Sequence, residues 1–183
     1  MKPTVQKISA VQGDVFYSVF NKTDYHDTIC EILSSAVNEK IKYENIPINE
    51  LGRPDFSSWG LDVNWTHSHK FCVLAYSFTA RVGVDLEFHK DGPVKVANRF
   101  FHPEEVQAIA DLHDKHLGQE LFFKLWCRKE ALFKCFGGSF FKDVLPRSVL
   151  RDESSHFSYY EPSLGVLEEN SPYSFCIVVS KKE

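Results

Sequence analysis

One stretch constrains this chain more than any other: Leu121 to Lys134, LFFKLWCRKEALFK. Trp126, Glu130 and Lys134 recur at i, i+4 and i+8, so a helical period puts them on one face with successive Cβ atoms roughly 5–6 Å apart. Leu121, Phe122, Leu125, Ala131, Leu132 and Phe133 cover most of the remaining surface, which predicts a helix buried on more than one side. A carboxylate and an amine in such surroundings are costly unless they meet each other, a metal or a ligand. The same spacing also fits an ordinary Glu–Lys pair on a solvated face. A second cluster is needed to decide between them.

That cluster is Val82 to Glu87, VGVDLE, in which Val82, Val84 and Leu86 alternate with Gly83, Asp85 and Glu87. Alternation of this kind is a strand with one face in the core and two carboxylates on the other, about 7 Å apart. It is either a plain polar face or a place where a hard divalent cation turns carboxylate repulsion into attraction.

Taken together and in this order, the two clusters resemble the 4'-phosphopantetheinyl transferase superfamily. Its signature is a G-[IV]-D-x-E strand followed by W-x-x-K-E-[SA]-x-x-K. Gly83-Val84-Asp85-Leu86-Glu87 and Trp126 to Lys134 fill every signature position. Three more blocks follow the family's order: Gly52-Arg53-Pro54, Asn64-Trp65-Thr66-His67-Ser68, and Phe101 to Glu105, FHPEE. The likeness runs from about Leu51 to Gly138.

Composition excludes several classes. The chain has 183 residues, 43% of them hydrophobic and 16 of them Phe, enough for one sizeable domain or two small ones with an aromatic core. A net charge of -4 argues against a generic nucleic-acid binder, and the N-terminus lacks the pattern of a signal peptide. No run reaches membrane-spanning length, so a cytoplasmic protein is expected. Five cysteines without C-x-x-C spacing suggest neither a disulfide framework nor zinc. Leu121 to Arg151 holds seven bases against two acids, a local +5 that would draw a phosphate-rich ligand or an acidic protein.

In chain order the pattern predicts a strand at Asp14–Phe20, a helix at Tyr25–Glu39, a loop at Asn45–Ser58, and strands at Leu61–Trp65, Phe71–Phe78 and Arg81–Glu87. Helices follow at Val94–Phe101, from Pro103, and into Lys134, ended by Gly137-Gly138, with strands at His156–Tyr160 and Tyr173–Ser180. FCVLAYS at Phe71 and FCIVVS at Phe175 hint at an internal repeat. The resemblance implies an α+β pseudo-dimer of two similar halves, antiparallel sheets packed against helices. The expected halves are 1–90, with the coenzyme A-binding turn and first metal motif, and 91–183, with the second.

The resemblance also implies an activity. The phosphopantetheine arm of coenzyme A would move to a serine of an apo acyl or peptidyl carrier protein, itself acidic, with release of adenosine 3',5'-bisphosphate. Asp85, Glu87 and Glu130 would hold Mg²⁺, Glu130 or a metal-bound water would be the base, and Lys134 would hold the α-phosphate. Arg53 and His67 would face the 3'-phosphate, Thr66 the diphosphate, and Glu105 would order a metal-bound water or merely open a helix. The chain would act as a monomer, without nucleic acid or membrane. Two rival readings are a metal-dependent phosphodiesterase or nuclease, and a coenzyme A-binding module without catalysis.

Overall fold

The helix anticipated around Trp126 is α4, Lys115–Phe136, in a computed structural model that describes residues 3–50, 52–90, 94–151, 156–162 and 172–182. Asp114 caps its start, Oδ1 accepting from the amides of His116 and Leu117, and Gly137 ends it with a φ of 77°, where a side chain would be strained. Ahead of it run α2, Val94–Phe100, and α3, Pro103–Ala110. The latter opens on a capping box between His102 and Glu105, with Pro103 in the first turn.

Among the described residues, seven strands form two antiparallel sheets. The first contains β1 (Gln6–Ala10), β2 (Gly13–Asn21), β3 (Asp62–Ser68) and β4 (Phe71–Ser77) in the order β1-β2-β4-β3. The second contains β5 (Ala80–Phe88), β6 (Phe157–Tyr160) and β7 (Tyr173–Lys181) in the order β5-β7-β6. Helix α1, Tyr25–Val37, covers the outer face of the first sheet through Ile29, Ile32 and Leu33, and α4 covers that of the second. Between the sheets, Val15, Val19 and Val73 meet Val82, Val84, Leu86 and Ile177. The result is an α+β fold of antiparallel sheets packed against helices.

Connectivity recurs. A strand, a helical segment and a hairpin make β2–α1–β3–β4, and again β5–(α2–α4)–β6–β7, with the third strand in the middle each time. The two sequences FCVLAYS and FCIVVS occupy these equivalent central strands, β4 and β7.

Two expectations change. The hairpin partner β1 was not anticipated, because an edge strand with half-exposed residues carries a weak pattern. The division expected at residue 90 separates β5 from its ladder partner. Strand β5 is paired along its whole length with β7, from Ala80↔Lys181 to Phe88↔Tyr173, and so belongs with the residues that follow it. The Asp91-Gly92-Pro93 break lies outside the described residues.

Where the sheets adjoin, side chains replace a backbone ladder. Asp62 Oδ2 accepts from the amide of Val82 (2.7 Å), Asn64 Oδ1 from Val84 (2.9 Å) and Ser68 Oγ from Phe88 (2.9 Å). Strand geometry turns every second residue of DVNWTHS toward this edge, which is why those positions are polar.

Candidate active site

Gly83 makes the site possible. A Cβ there would lie 2.1 Å from the carbonyl oxygen of Ala131 and 2.6 Å from the amide nitrogen of Cys135, so α4 crosses β5 at a distance only glycine permits. Because Val82, Val84 and Leu86 face the inter-sheet core, Asp85 and Glu87 face α4. Close approach and strand period together bring the two motifs into one cluster.

Asp85 is its centre, only 3% exposed. Its Oδ1 receives Lys134 Nζ at 2.5 Å and the Thr66 hydroxyl at 3.4 Å, while Lys134 also donates to Thr66 Oγ1 at 3.2 Å. Its other oxygen, Oδ2, is buried and, among the described residues, meets no N–H or O–H donor. Burial, followed by the charge of Asp85, pushes the Glu130 carboxyl up to about 7 against the pull of Lys134. The Glu87 carboxyl is raised by the same two causes in the same order, and a bond from Trp126 opposes the rise.

Among the described residues, no group of three His, Cys, Asp or Glu side chains stands ready to hold a metal ion. The donor set nevertheless fits one. Three carboxylates in one cluster, Glu87 and Glu130 with raised proton affinity and Asp85 with an orphaned buried oxygen, are short of positive charge in the way a hard divalent cation would remedy. Lys134 supplies part of that charge in this structure.

Beyond Lys134 the surface falls into a cavity of about 410 Å³ walled by the Gly52–Pro54 turn, Tyr43, Trp65, Phe133 and Gly137. Cation, aromatic walls and a tight turn at one opening suit a phosphorylated ligand with an apolar ring.

Residues 81–181, more than half of the chain, match the model of the 4'-phosphopantetheinyl transferase superfamily. The chain is also 30% identical over 164 residues to the 4'-phosphopantetheinyl transferase of Bacillus subtilis, covering 85% of this chain and 71% of that one. The chain belongs to the 4'-phosphopantetheinyl transferase superfamily. Further relatives in it are the 4'-phosphopantetheinyl transferase HetI of Nostoc sp., 34% identical over 84 residues (45% of this chain), and the 4'-phosphopantetheinyl transferase gsp of Aneurinibacillus migulanus, 32% over 126 (68%). The match spans 35% of the Nostoc protein and 49% of the Aneurinibacillus protein.

Of the residues expected at the superfamily site, Asp85, Glu87, Glu130, Lys134 and Thr66 come together. Three others stand differently. His67, one residue beyond Thr66, points to the opposite side of β3, exposed and edge-on to Tyr25 at 5.4 Å. Desolvation and then the charge of Lys22 lower its imidazole pKa. Arg53 is 9% exposed and its guanidinium is turned inward: Nη1 donates to the carbonyls of Lys134 and Cys135, Nη2 to Asp62 (3.1 Å) and Val82 O (2.9 Å). The expected fork for a 3'-phosphate is occupied by the protein itself.

Glu105 is the third, and its expected link to a metal-bound water has no support in its position. It is fully buried against Lys129 Nζ at 2.8 Å, accepts from the amide of Val149 at 2.7 Å, and closes the capping box through the His102 amide. Lys129 also donates to the carbonyls of Leu145 (2.9 Å) and Arg147 (2.5 Å). The sequence held a signal for this pair: Lys129 lies on the helical stripe of Phe122, Leu125 and Leu132, where a lone amine requires a buried partner. The basic patch thins accordingly, since Arg128 and Lys129 are buried and Lys124 is bound to Glu161.

Proposed function

We propose that this chain transfers the 4'-phosphopantetheine arm of coenzyme A to a serine hydroxyl of an apo carrier protein, with release of adenosine 3',5'-bisphosphate. The observation that carries the reading is the Asp85–Thr66–Lys134 cluster, flanked by Glu87 and Glu130, opening onto the cavity behind Lys134. Lys134 offers an ammonium to the diphosphate oxygens at the mouth of that cavity, where Thr66 orients it. Glu130, one helical turn before Lys134 and beside Asp85, is placed to take the proton of the attacking serine. The serine oxygen then bonds to the β-phosphorus as the bond from that phosphorus to the bridging oxygen breaks, and the α-phosphate leaves with the adenosine.

Asp85, Glu87 and Glu130 would hold Mg²⁺, which supplies charge shielding for the diphosphate. The aromatic walls Tyr43, Trp65 and Phe133 would receive the adenine. An acidic carrier is the second substrate, drawn to exposed bases such as Lys142, Arg147 and Arg151. The reading carries with it a cytoplasmic setting, in which the five free cysteines stay reduced, and a single-chain enzyme whose like-connected halves stand as a pseudo-dimer. No described helix is long and apolar enough to cross a membrane.

Incubation with coenzyme A, Mg²⁺ and an apo acyl or peptidyl carrier tests the reading directly. Gain of one phosphopantetheine by carrier mass is expected. Hydrolysis of coenzyme A without carrier modification would favour the phosphodiesterase reading, and binding without turnover the non-catalytic module.

A further inference from the structure

The last turn of a helix leaves four carbonyls without partners inside the helix. In α4 these belong to Phe133, Lys134, Cys135 and Phe136, and the Gly137 amide serves only the first, at 2.7 Å. Arg53 serves the next two, from a loop far away in the chain. Its other nitrogen reaches Val82 O on β5 and Asp62 on β3, and Asp62 in turn holds the Val82 amide. One guanidinium therefore joins the end of α4 to both strands at the sheet junction.

Arg53 is itself held. Its amide donates to Asn49 Oδ1 at 3.0 Å, its carbonyl accepts from the Asn49 amide at 2.8 Å, and Pro54 pairs with Ile48. A cation at a helix C-terminus also opposes the negative end of the helix dipole, and the two glycines that follow α4 cannot stiffen that end.

The backbone that Arg53 holds is that of Lys134, whose ammonium sits on Asp85. We infer that Arg53 is a positioning residue, which caps the C-terminus of α4 from the Gly52–Pro54 turn and so sets Lys134 against Asp85, instead of gripping a phosphate of the substrate. Fraying of the last turn would move the Lys134 Cα, and small displacements at a reacting centre cost far more rate than binding.

This inference rests on the transferase reading for its kinetic arm alone. Arg53→Ala and Arg53→Lys are to be assayed with coenzyme A and with 3'-dephospho coenzyme A, alongside amide hydrogen exchange across α4. For Arg53→Ala we expect kcat to fall about tenfold or more with both substrates, while the ratio of their KM values stays within about twofold of wild type. Exchange at the Cys135, Phe136 and Gly137 amides should accelerate about tenfold or more relative to the middle of α4. Arg53→Lys, with one ammonium in place of the fork, should fall between, and ethylguanidinium should restore part of the kcat of Arg53→Ala. A selective rise in KM for coenzyme A over the dephospho substrate, with unchanged exchange at the end of α4, would overturn the assignment in favour of a phosphate contact. Should Arg53→Ala not fold, Arg53→Lys carries the same comparison. Should the wild type transfer nothing, the proposed function fails, and the exchange measurement still decides what Arg53 holds.

Discussion

At the residue scale the site is a charge imbalance kept out of water: three carboxylates face one ammonium, and one buried carboxylate oxygen meets no N–H or O–H donor among the described residues. Glu130 reports the strain, because its proton affinity rises from an ordinary 4.5 to about 7. Below pH 4.5 it is protonated folded or unfolded, and its protonation contributes its full stability. Between 4.5 and 7 the folded state keeps a proton that the unfolded chain has lost, so this stability fades as pH rises and is gone above 7. Glu130→Gln removes the penalty. In chelator its Tm at pH 8 should exceed that of wild type by a few degrees, about 1–2 kcal/mol once screening of this partly exposed group is allowed for. At pH 4.5 the two should melt together in the same calorimetric series; equal gains at both pH values would show that ionisation is not the cause. Transfer by the variant should drop roughly 10²–10⁴-fold, the span of general-base catalysis.

Elements set the positions that residues then use. Gly83 is the point where helix and strand touch, and Gly83→Ala forces α4 away from β5 by the overlap with Ala131 and Cys135 backbone. Overpacking of this severity costs about 3 kcal/mol or more. A Tm drop of about 6 °C or more, with loss of transfer out of proportion to the folded fraction, is the expected outcome; a variant of wild-type stability would mean the contact yields easily. The Glu105–Lys129 pair behaves differently, as a bolt between α3, α4 and the carbonyls after Leu145. Lys129→Met alone should cost about 3–5 kcal/mol by stranding a buried carboxylate, and Lys129→Met with Glu105→Gln should recover part of it. Denaturant melts of the four proteins in the cycle measure the coupling. A Mg²⁺ dependence that stays at the wild-type value in the folded double variant would agree with a purely structural Glu105.

At the scale of the whole molecule the two sheets adjoin along β3 and β5, and the junction is made by side chains in the places where a continuous sheet would use backbone. Thr66 stands in the same polar row as Asp62, Asn64 and Ser68, so the row that joins the sheets also delivers a hydroxyl to Asp85. Asn64→Ala would leave the buried Val84 amide without a partner, one residue from Asp85. We expect a loss of about 1–3 kcal/mol and faster exchange at Val84 than at Ile177, across the ladder on the other edge of β5. Unchanged exchange at Val84 would show that water replaces the asparagine without cost.

The sequence by itself determined the local periods: helix for Leu121 to Lys134, alternation for Val82 to Glu87, the starts and stops at Pro103 and Gly137, and hence which faces Asp85, Glu87, Glu130 and Lys134 occupy. These follow from backbone geometry, which repeats over a few residues and needs no distant partner. Repetition of FCVLAYS as FCIVVS was visible too, though only topology shows both as central strands. The partners of Arg53, Glu105 and Lys129 and the membership of β5 were decided by tertiary structure, with the burial of Lys129 alone signalled by its place on an apolar stripe. A phosphate fork and a helix cap use the same guanidinium, a first-turn acid and a buried ion pair the same carboxylate, and a strand can pair on either edge. Which use prevails depends on the neighbours that distant segments bring, and on the cost of leaving a buried carbonyl, amide or charge without one.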